Sequence, residues 1–198
     1  MLLENIATIR TGVVTTRKRA SEDSLQTFKY NVLNLRCAQA SGCFDMQYAE
    51  VLESEEELKA VYFTRLGDIL VRLSAPYTAI MITREEWCDY LVPSHFAIIR
   101  IKDASVLPEY ILWILKQDAT KQKILQNISG NGAFGTINSK FFNSIYVHDI
   151  PIEKQKIIGQ MLLLSDREQR LLYELALQKE NYNKLLLENV FESMKRGN

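Results

Sequence analysis

The sequence predicts an α+β fold: a mostly antiparallel β domain with packed helices over residues 1–150, then one long C-terminal coiled-coil helix over 151–198. Three observations predict it. Short runs rich in β-branched and aromatic residues recur between residues 60 and 101, separated by turn material. Two amphipathic helical stretches follow. After Pro151 the texture changes, and from Glu153 to Lys195 there is no proline and a single glycine, Gly159.

Taken in order, Phe28 to Leu35 reads as an early strand. Ile69-Leu70-Val71-Arg72-Leu73, Tyr77-Thr78-Ala79-Ile80-Met81-Ile82 and Phe96-Ala97-Ile98-Ile99-Arg100-Ile101 read as three more. Gly67-Asp68, Ser74-Ala75-Pro76 and Pro93-Ser94 supply the turns. Short strands at this spacing predict a compact antiparallel core rather than a doubly wound sheet. Pro108 suits a first helical turn, with Tyr110, Ile111, Ile114 and Leu115 on one face. Asp118 is placed to cap a second helix carrying Ile124, Leu125 and Ile128, which Ser129-Gly130 ends. The loop Gly130–Gly135 then leads to a helical turn near Ser139–Phe142 and a strand, Ile145-Tyr146-Val147.

In the last segment a seam spaced alternately by four and three residues runs Ile157, Met161, Leu164, Glu168, Leu171, Leu175, Gln178, Tyr182, Leu185, Asn189. Seven of these ten are apolar, the pattern of a coiled-coil helix. An unbroken helix of this length extends about 65 Å at 1.5 Å per residue, too far to lie wholly on so small a domain. Ile158, Leu162, Leu163, Leu172, Leu186 and Leu187 widen the apolar face, so the helix is expected to pack against another helix.

Composition narrows the function classes. The 198 residues carry 24 Lys+Arg against 24 Asp+Glu, with 47% hydrophobic residues, an ordinary globular balance. No apolar run reaches the roughly 18 residues of a membrane span. Met1-Leu2-Leu3-Glu4 is not a basic segment leading into an apolar one. Cys37, Cys43 and Cys88 form no C-x-x-C pair, as expected of reduced thiols in a cytoplasm. Charge is uneven: residues 1–44 hold six basic residues against three acidic ones, whereas 45–60 hold six acidic residues against Lys59 alone. The acidic block reads as a solvated loop or helix face.

Motifs for chemistry are missing, so the chain is not expected to be an enzyme or to hold a cofactor or metal. Gly130-Asn131-Gly132-Ala133-Phe134-Gly135 spells G-x-G-x-x-G, but a helix precedes it where a dinucleotide site needs a strand. His95 and His148 lack cysteine or carboxylate companions at ligand spacing. Asp45 with Glu57-Leu58-Lys59 is only a faint likeness of a nuclease metal site, inside the acidic block. No Asn/Asp-Pro-Pro-Tyr/Phe run is present for an adenine methyltransferase.

Four segments nevertheless carry a resemblance: Leu3-Glu4-Asn5-Ile6-Ala7 followed by Gly12; Leu66-Gly67-Asp68-Ile69-Leu70; Tyr110-Ile111-Leu112-Trp113-Ile114-Leu115 followed by Gly130 to Ile137-Asn138; and Pro151-Ile152-Glu153-Lys154-Gln155-Lys156-Ile157-Ile158. In this order they resemble the DNA-specificity subunits of Type I restriction–modification systems. The last is the most specific, similar to the Pro-Leu-x-x-Gln-x-x-Ile signature opening the family's long helix, although Ile150 stands where a second proline is common. The family usually carries two target recognition domains and two antiparallel helices, and this chain resembles a half-length form with one of each.

The resemblance implies a subunit that reads one half-site in double-stranded DNA. It also implies docking to methyltransferase subunits, which supply the S-adenosylmethionine chemistry, with a restriction subunit joining. Arg17, Lys18 and Arg19 are the candidates for phosphate contacts. Arg72 and Tyr77, flanking Pro76, and Asn131, Phe134 and Lys140, in or near the glycine-rich loop, complete the candidate DNA-binding set. Ile157, Met161, Leu164, Leu171, Leu175, Tyr182 and Leu185 are the candidates for a homodimer seam. The alternative is a non-catalytic protein-interaction module on a coiled-coil stalk.

Overall fold

Continuous apolar runs such as Ile69-Leu70-Val71 and Phe96-Ala97-Ile98-Ile99 require burial on both faces of a sheet, and the computed structural model of the chain shows this arrangement. It describes every residue except 22, 23, 25, 39–43, 130–134 and 197–198. The chain divides into two compact units, Met1–Leu162 and Leu163–Asn198.

In the first unit, a short helix α1 (Leu3–Ile6) leads into β1 (Ala7–Thr11), followed by β2 (Phe28–Val32), β3 (Glu50–Ser54), β4 (Ile69–Arg72), β5 (Ala79–Met81) and β6 (Phe96–Ile101). Helices α2 (Pro108–Lys116), α3 (Asp118–Gln126) and the start of α4 (Ile152–Arg196) complete it. Among the described residues two antiparallel sheets form, one in the order β1-β6-β4-β5 and one pairing β2 with β3. Leu70, Ile80, Phe96 and Ile98 pack on one side with Leu33, Cys37, Ala38 and Val92. Ile69, Val71 and Ile99 alternate to the opposite side, and α2, packed on β5, buries Tyr110, Ile111, Ile114 and Leu115. A second cluster of Val13, Val32, Leu52, Leu58 and Leu91 sits under the β2–β3 hairpin.

The α+β class holds, with local corrections. β1 lacks the apolar run that marks the central strands: as an edge strand bonded only to β6 it carries Thr8, Arg10 and Thr11. Residues 50–54 form a strand rather than a solvated loop or helix face. Leu52 and Ser54 point inward while Glu50, Val51 and Glu53 are exposed, and Val51 outside with Ser54 inside hides the alternation. Tyr77 precedes β5 in a turn, with φ +56°. Asp118 is the first residue of α3 rather than its cap, which is Gln117. Residues 145–147 form no strand, and Tyr146 makes an isolated bridge to Leu2.

The motif residues each meet a physical demand. A Cβ on Gly12 would lie 2.3 Å from the carbonyl oxygens of Val92 and Pro93, so only glycine admits that approach. Gly67 has φ +82°, favouring glycine, and turns the chain so that Asp68 is buried. Arg100 grips that carboxylate through Nε (2.7 Å) and Nη2 (2.6 Å), and the Arg65 amide donates to it at 2.8 Å. Gln155 is also buried: its Oε1 accepts from the Leu107 amide, and its Nε2 donates to the carbonyls of Ser105 and Ile150, all at 2.9 Å. One turn on, a Cβ on Gly159 would lie 2.5 Å from Glu109 Cβ, so α4 and α2 touch backbone to side chain. The phenol of Tyr110 donates to the His148 carbonyl at 3.1 Å.

In the second unit the described residues, from Leu163 to Arg196, belong to α4 alone. Among the described residues, no helix is long and apolar enough to cross a membrane.

Gln155→Ala is expected to lower stability by about 2–3 kcal/mol, because the Leu107 amide is left without its acceptor. Lys154→Ala, one residue away and exposed, should change it by less than about 0.5 kcal/mol. Urea denaturation of both variants checks this; equal midpoints would show that the amide does not brace the junction.

Candidate nucleic-acid interface

The first predicted group follows β1 and Gly12. Thr15–Arg17 forms a short 3-10 turn, and Arg17 and Arg19 are exposed with no ion pair to any described residue. Lys18 lies between them and is paired with Glu56. The chain then crosses the end of β3, where the Ala20 amide donates to the Glu53 carbonyl at 2.8 Å. The Ser21 amide, Ser21 Oγ and Ser24 Oγ all donate to Glu55 Oε1 at 2.9, 3.0 and 2.6 Å. These bonds, the Ser21 amide first, hold the Glu55 carboxyl below its ordinary value. Lys29 pairs with Glu53 at 2.9 Å. The acidic block thus backs the basic segment, and among the described residues of that segment Arg17 and Arg19 are left exposed without an ion pair.

The second group gathers around the corner between β4 and β5. Arg72 donates through Nη1 to the carbonyls of Leu35 (3.4 Å) and Ala38 (3.2 Å), and through Nη2 to Ala75 (2.9 Å). Its Nε is buried with no hydrogen-bond partner among the described residues, and burial pulls the guanidinium down from its ordinary value. Tyr77 Oη donates to the Gly135 carbonyl at 2.9 Å, while Thr136 bridges to Ser74 and Ser129. Arg72 and Tyr77 therefore tie the corner to neighbouring backbone and bring it beside the end of the glycine-rich loop. Lys140 is exposed on the 3-10 turn Ser139–Ser144, which a Thr11–Ser139 hydroxyl contact of 2.7 Å joins to the end of β1. Asn131 and Phe134 lie outside the described residues.

Among the described residues of the first unit, two cations outside the sequence-predicted set are presented on aromatic rings. Arg36 lies 4.4 Å from the centre of the Tyr48 ring, and Arg84 lies 5.0 Å from that of Trp87. Neither carries a motif, and the Arg36–Tyr48 contact joins residues twelve apart that no helix or strand period would pair. A cleft of about 260 Å³ lined by Tyr30, Glu57, Leu58, Ala60, Phe63, Arg65 and Asp89 holds one acidic member of the faint nuclease likeness. Among the described residues no group of three His, Cys, Asp or Glu could hold a metal ion. His95 and His148 are exposed, the latter edge-on to Tyr146 at 4.9 Å.

The seam residues Ile157, Met161, Leu164, Leu171, Leu175, Tyr182 and Leu185 are all 50–67% exposed. Near the start of α4, Gln155 and Gly159 face inward, so Ile157 and Met161 take the outer side. Leu172, Leu186, Leu187, Phe191 and Met194 are exposed too, a face wider than the seam alone.

These placements separate the basic residues by what they do for stability. Arg72→Met should lower the melting temperature by several degrees, since three carbonyls lose their donor, whereas Arg17→Gln with Arg19→Gln should leave it within about 1 °C. Thermal unfolding followed by circular dichroism checks both; equal loss from the two changes would show that Arg17 and Arg19 are structural.

No protein-family model matches the sequence, and no curated protein matches it. The fold does match solved structures. One comes from a study of the structural basis of complex assembly and conformational transition of the type I R-M system. Its TM-score is 0.56 at 15% identity, covering 87% of this chain and 39% of that one. The HsdS subunit from Thermoanaerobacter tengcongensis gives 0.53 at 13% identity, covering 87% of this chain and 38% of its own. The Type I restriction–modification S subunit from M. genitalium gives 0.52 at 10% identity, covering 84% and 38%. This chain spans about two-fifths of the length of the structures it matches. As its four motifs implied, the chain has the fold of Type I restriction–modification S subunits.

Proposed function

We propose that this chain is a DNA sequence-recognition subunit of a Type I restriction–modification complex. Residues 1–150 form its target recognition domain and 151–198 its dimerisation and spacer helix. The observation that carries this reading is the S-subunit fold over 87% of the chain. The domain reads one half-site in double-stranded DNA through side chains in the major groove, where donor and acceptor patterns distinguish all base pairs. Arg17 and Arg19 hold phosphates and set position without reading sequence. The long helix pairs with that of a second copy, and the stiffness of the pair sets the spacing of half-sites. Methyltransferase subunits dock on this assembly in the cytoplasm and extrude the adenine they modify, and a restriction subunit joins them. The chain itself performs neither reaction.

The protein-interaction module on a coiled-coil stalk draws support from one observation. Lys18 and Lys29 are neutralised by the acidic block, and Arg72 is engaged with backbone.

Salt dependence separates the two. In an assembled complex, Arg17→Gln with Arg19→Gln should weaken binding equally across DNA sequences. The log–log salt slope should flatten by about 0.9 for each phosphate that is no longer neutralised. An unchanged slope would favour the interaction module, and altered target preference at unaltered affinity would mean that these arginines read bases. The pure chain with DNA, Mg²⁺, ATP and S-adenosylmethionine should give neither cleavage nor methyl transfer; nicking abolished by Glu57→Gln would overturn the non-catalytic assignment.

A further inference from the structure

The exposed seam of α4 is interrupted by three polar residues, Glu168, Gln178 and Asn189, and the first two stand in a defined relation to each other. Within Leu163–Asn198 the seam reads Leu164, Glu168, Leu171, Leu175, Gln178, Tyr182, Leu185, Asn189. Glu168 and Gln178 are symmetric about the Leu171–Leu175 pair: both pairs are centred on the level of residue 173. Leu164 and Tyr182 are centred there as well. This matching of Glu168 with Gln178 has a direct consequence for self-association, because in an antiparallel pair each seam residue meets one of the opposite half of its partner.

We infer that two copies of α4 pair antiparallel with residue 173 level with the two-fold axis, so that Glu168 of each copy hydrogen-bonds Gln178 of the other. This rests on the homodimer reading above and deepens it by naming the register. Leu171 then packs on Leu175 of the second copy, twice, at the centre. Leu164 packs on Tyr182 outside the polar pairs, Met161 falls level with Leu185, and the third polar residue, Asn189, falls level with Ile157 at the end of the seam. The Gln178 amide donates to the Glu168 carboxylate, so the two polar seam groups compensate each other as they leave water.

Competing arrangements fail on the same residues. A parallel pair in register sets Glu168 against Glu168, burying like charges. Moving the antiparallel pair by seven residues, the smallest shift that keeps the seam facing inward, sets Glu168 against Leu171 in one direction and against Leu185 in the other. Each strands a carboxylate on an apolar side chain, and an uncompensated buried charge is costly. The chosen register also brings Leu172, 59% exposed in the single chain, beside Leu172 of the second copy. The two Glu174 side chains come beside the axis too, each already paired with Arg170 of its own chain at 3.7 Å. Polar seam residues that match only one alignment are a known means of fixing orientation and register.

The test is a charge reversal read on the full chain. Positions 168 and 178 are about 15 Å apart along one helix, so any coupling between them arises between copies. In the wild-type background Gln178→Glu should raise the dimer dissociation constant at least about fivefold relative to Gln178→Lys, because it faces Glu168. In the Glu168→Lys background the order should reverse, with Gln178→Glu the tighter dimer. Sedimentation equilibrium gives both constants, and circular dichroism confirms that each variant keeps its helix content. The same order in both backgrounds would overturn this register and leave the homodimer standing. A wild-type chain that is monomeric at tens of micromolar would overturn register and homodimer together.

Discussion

A buried amide joins the β domain to the first turns of the long helix. The backbone amide of Leu107, at the N-cap of α2, needs an acceptor, and α2 offers no side-chain cap of its own. In a capping box that acceptor comes from Glu or Gln three residues into the helix. Here the third residue is Tyr110, buried with its phenol on the His148 carbonyl, and the acceptor is supplied from α4 by Gln155. The same side chain donates to the carbonyls of Ser105 and Ile150, on either side of the junction. Gly159 then permits contact with Glu109. The start of α2, the loop before it and the entry into α4 are all held together at that one amide.

Charge is organised by a related economy of polar groups. A chain with zero formal net charge is a poor candidate for tight binding to phosphate on composition alone. The structure resolves this into local compensation. Glu53, Glu55 and Glu56 hold Lys29, Ser21, Ser24 and Lys18, and these bonds fasten the segment after Lys18 against β3. Among the described residues of that segment, what the compensation leaves is Arg17, at the end of a short turn, and Arg19 just beyond it. The charge that matters for a partner is what remains after this pairing, not the sum over the sequence.

Legibility in the sequence follows the range of the interactions involved. The central strands are readable because burial on both faces makes them uniformly apolar, and α4 is readable because its period is local. β1 and β3 are not, since an edge strand and a half-exposed hairpin admit Thr, Arg and Glu on their open sides. The structural role of Arg72 is hidden for a different reason. Its acceptors at Leu35 and Ala38 are 37 and 34 residues away, and nothing near it in the chain marks them. Gln155 and Gly12 are visible as letters of a motif, but the amide's three partners and the two carbonyl oxygens pressed on Gly12 exist only in the folded chain. The seam is legible residue by residue, while the matched positions of Glu168 and Gln178 would acquire meaning only with a second copy.

Under the proposed function, a single recognition domain used twice about a two-fold axis would impose its symmetry on the DNA it reads. The account is therefore tested most directly by the modified sequence itself. The chain would be expressed with the methyltransferase subunit of a Type I system and the methylated adenines mapped across the host DNA. Two identical half-sites in inverted orientation, separated by a spacer of fixed length and free sequence, are the predicted result. Two different half-sites, or a methylation pattern indifferent to the presence of the chain, would contradict it.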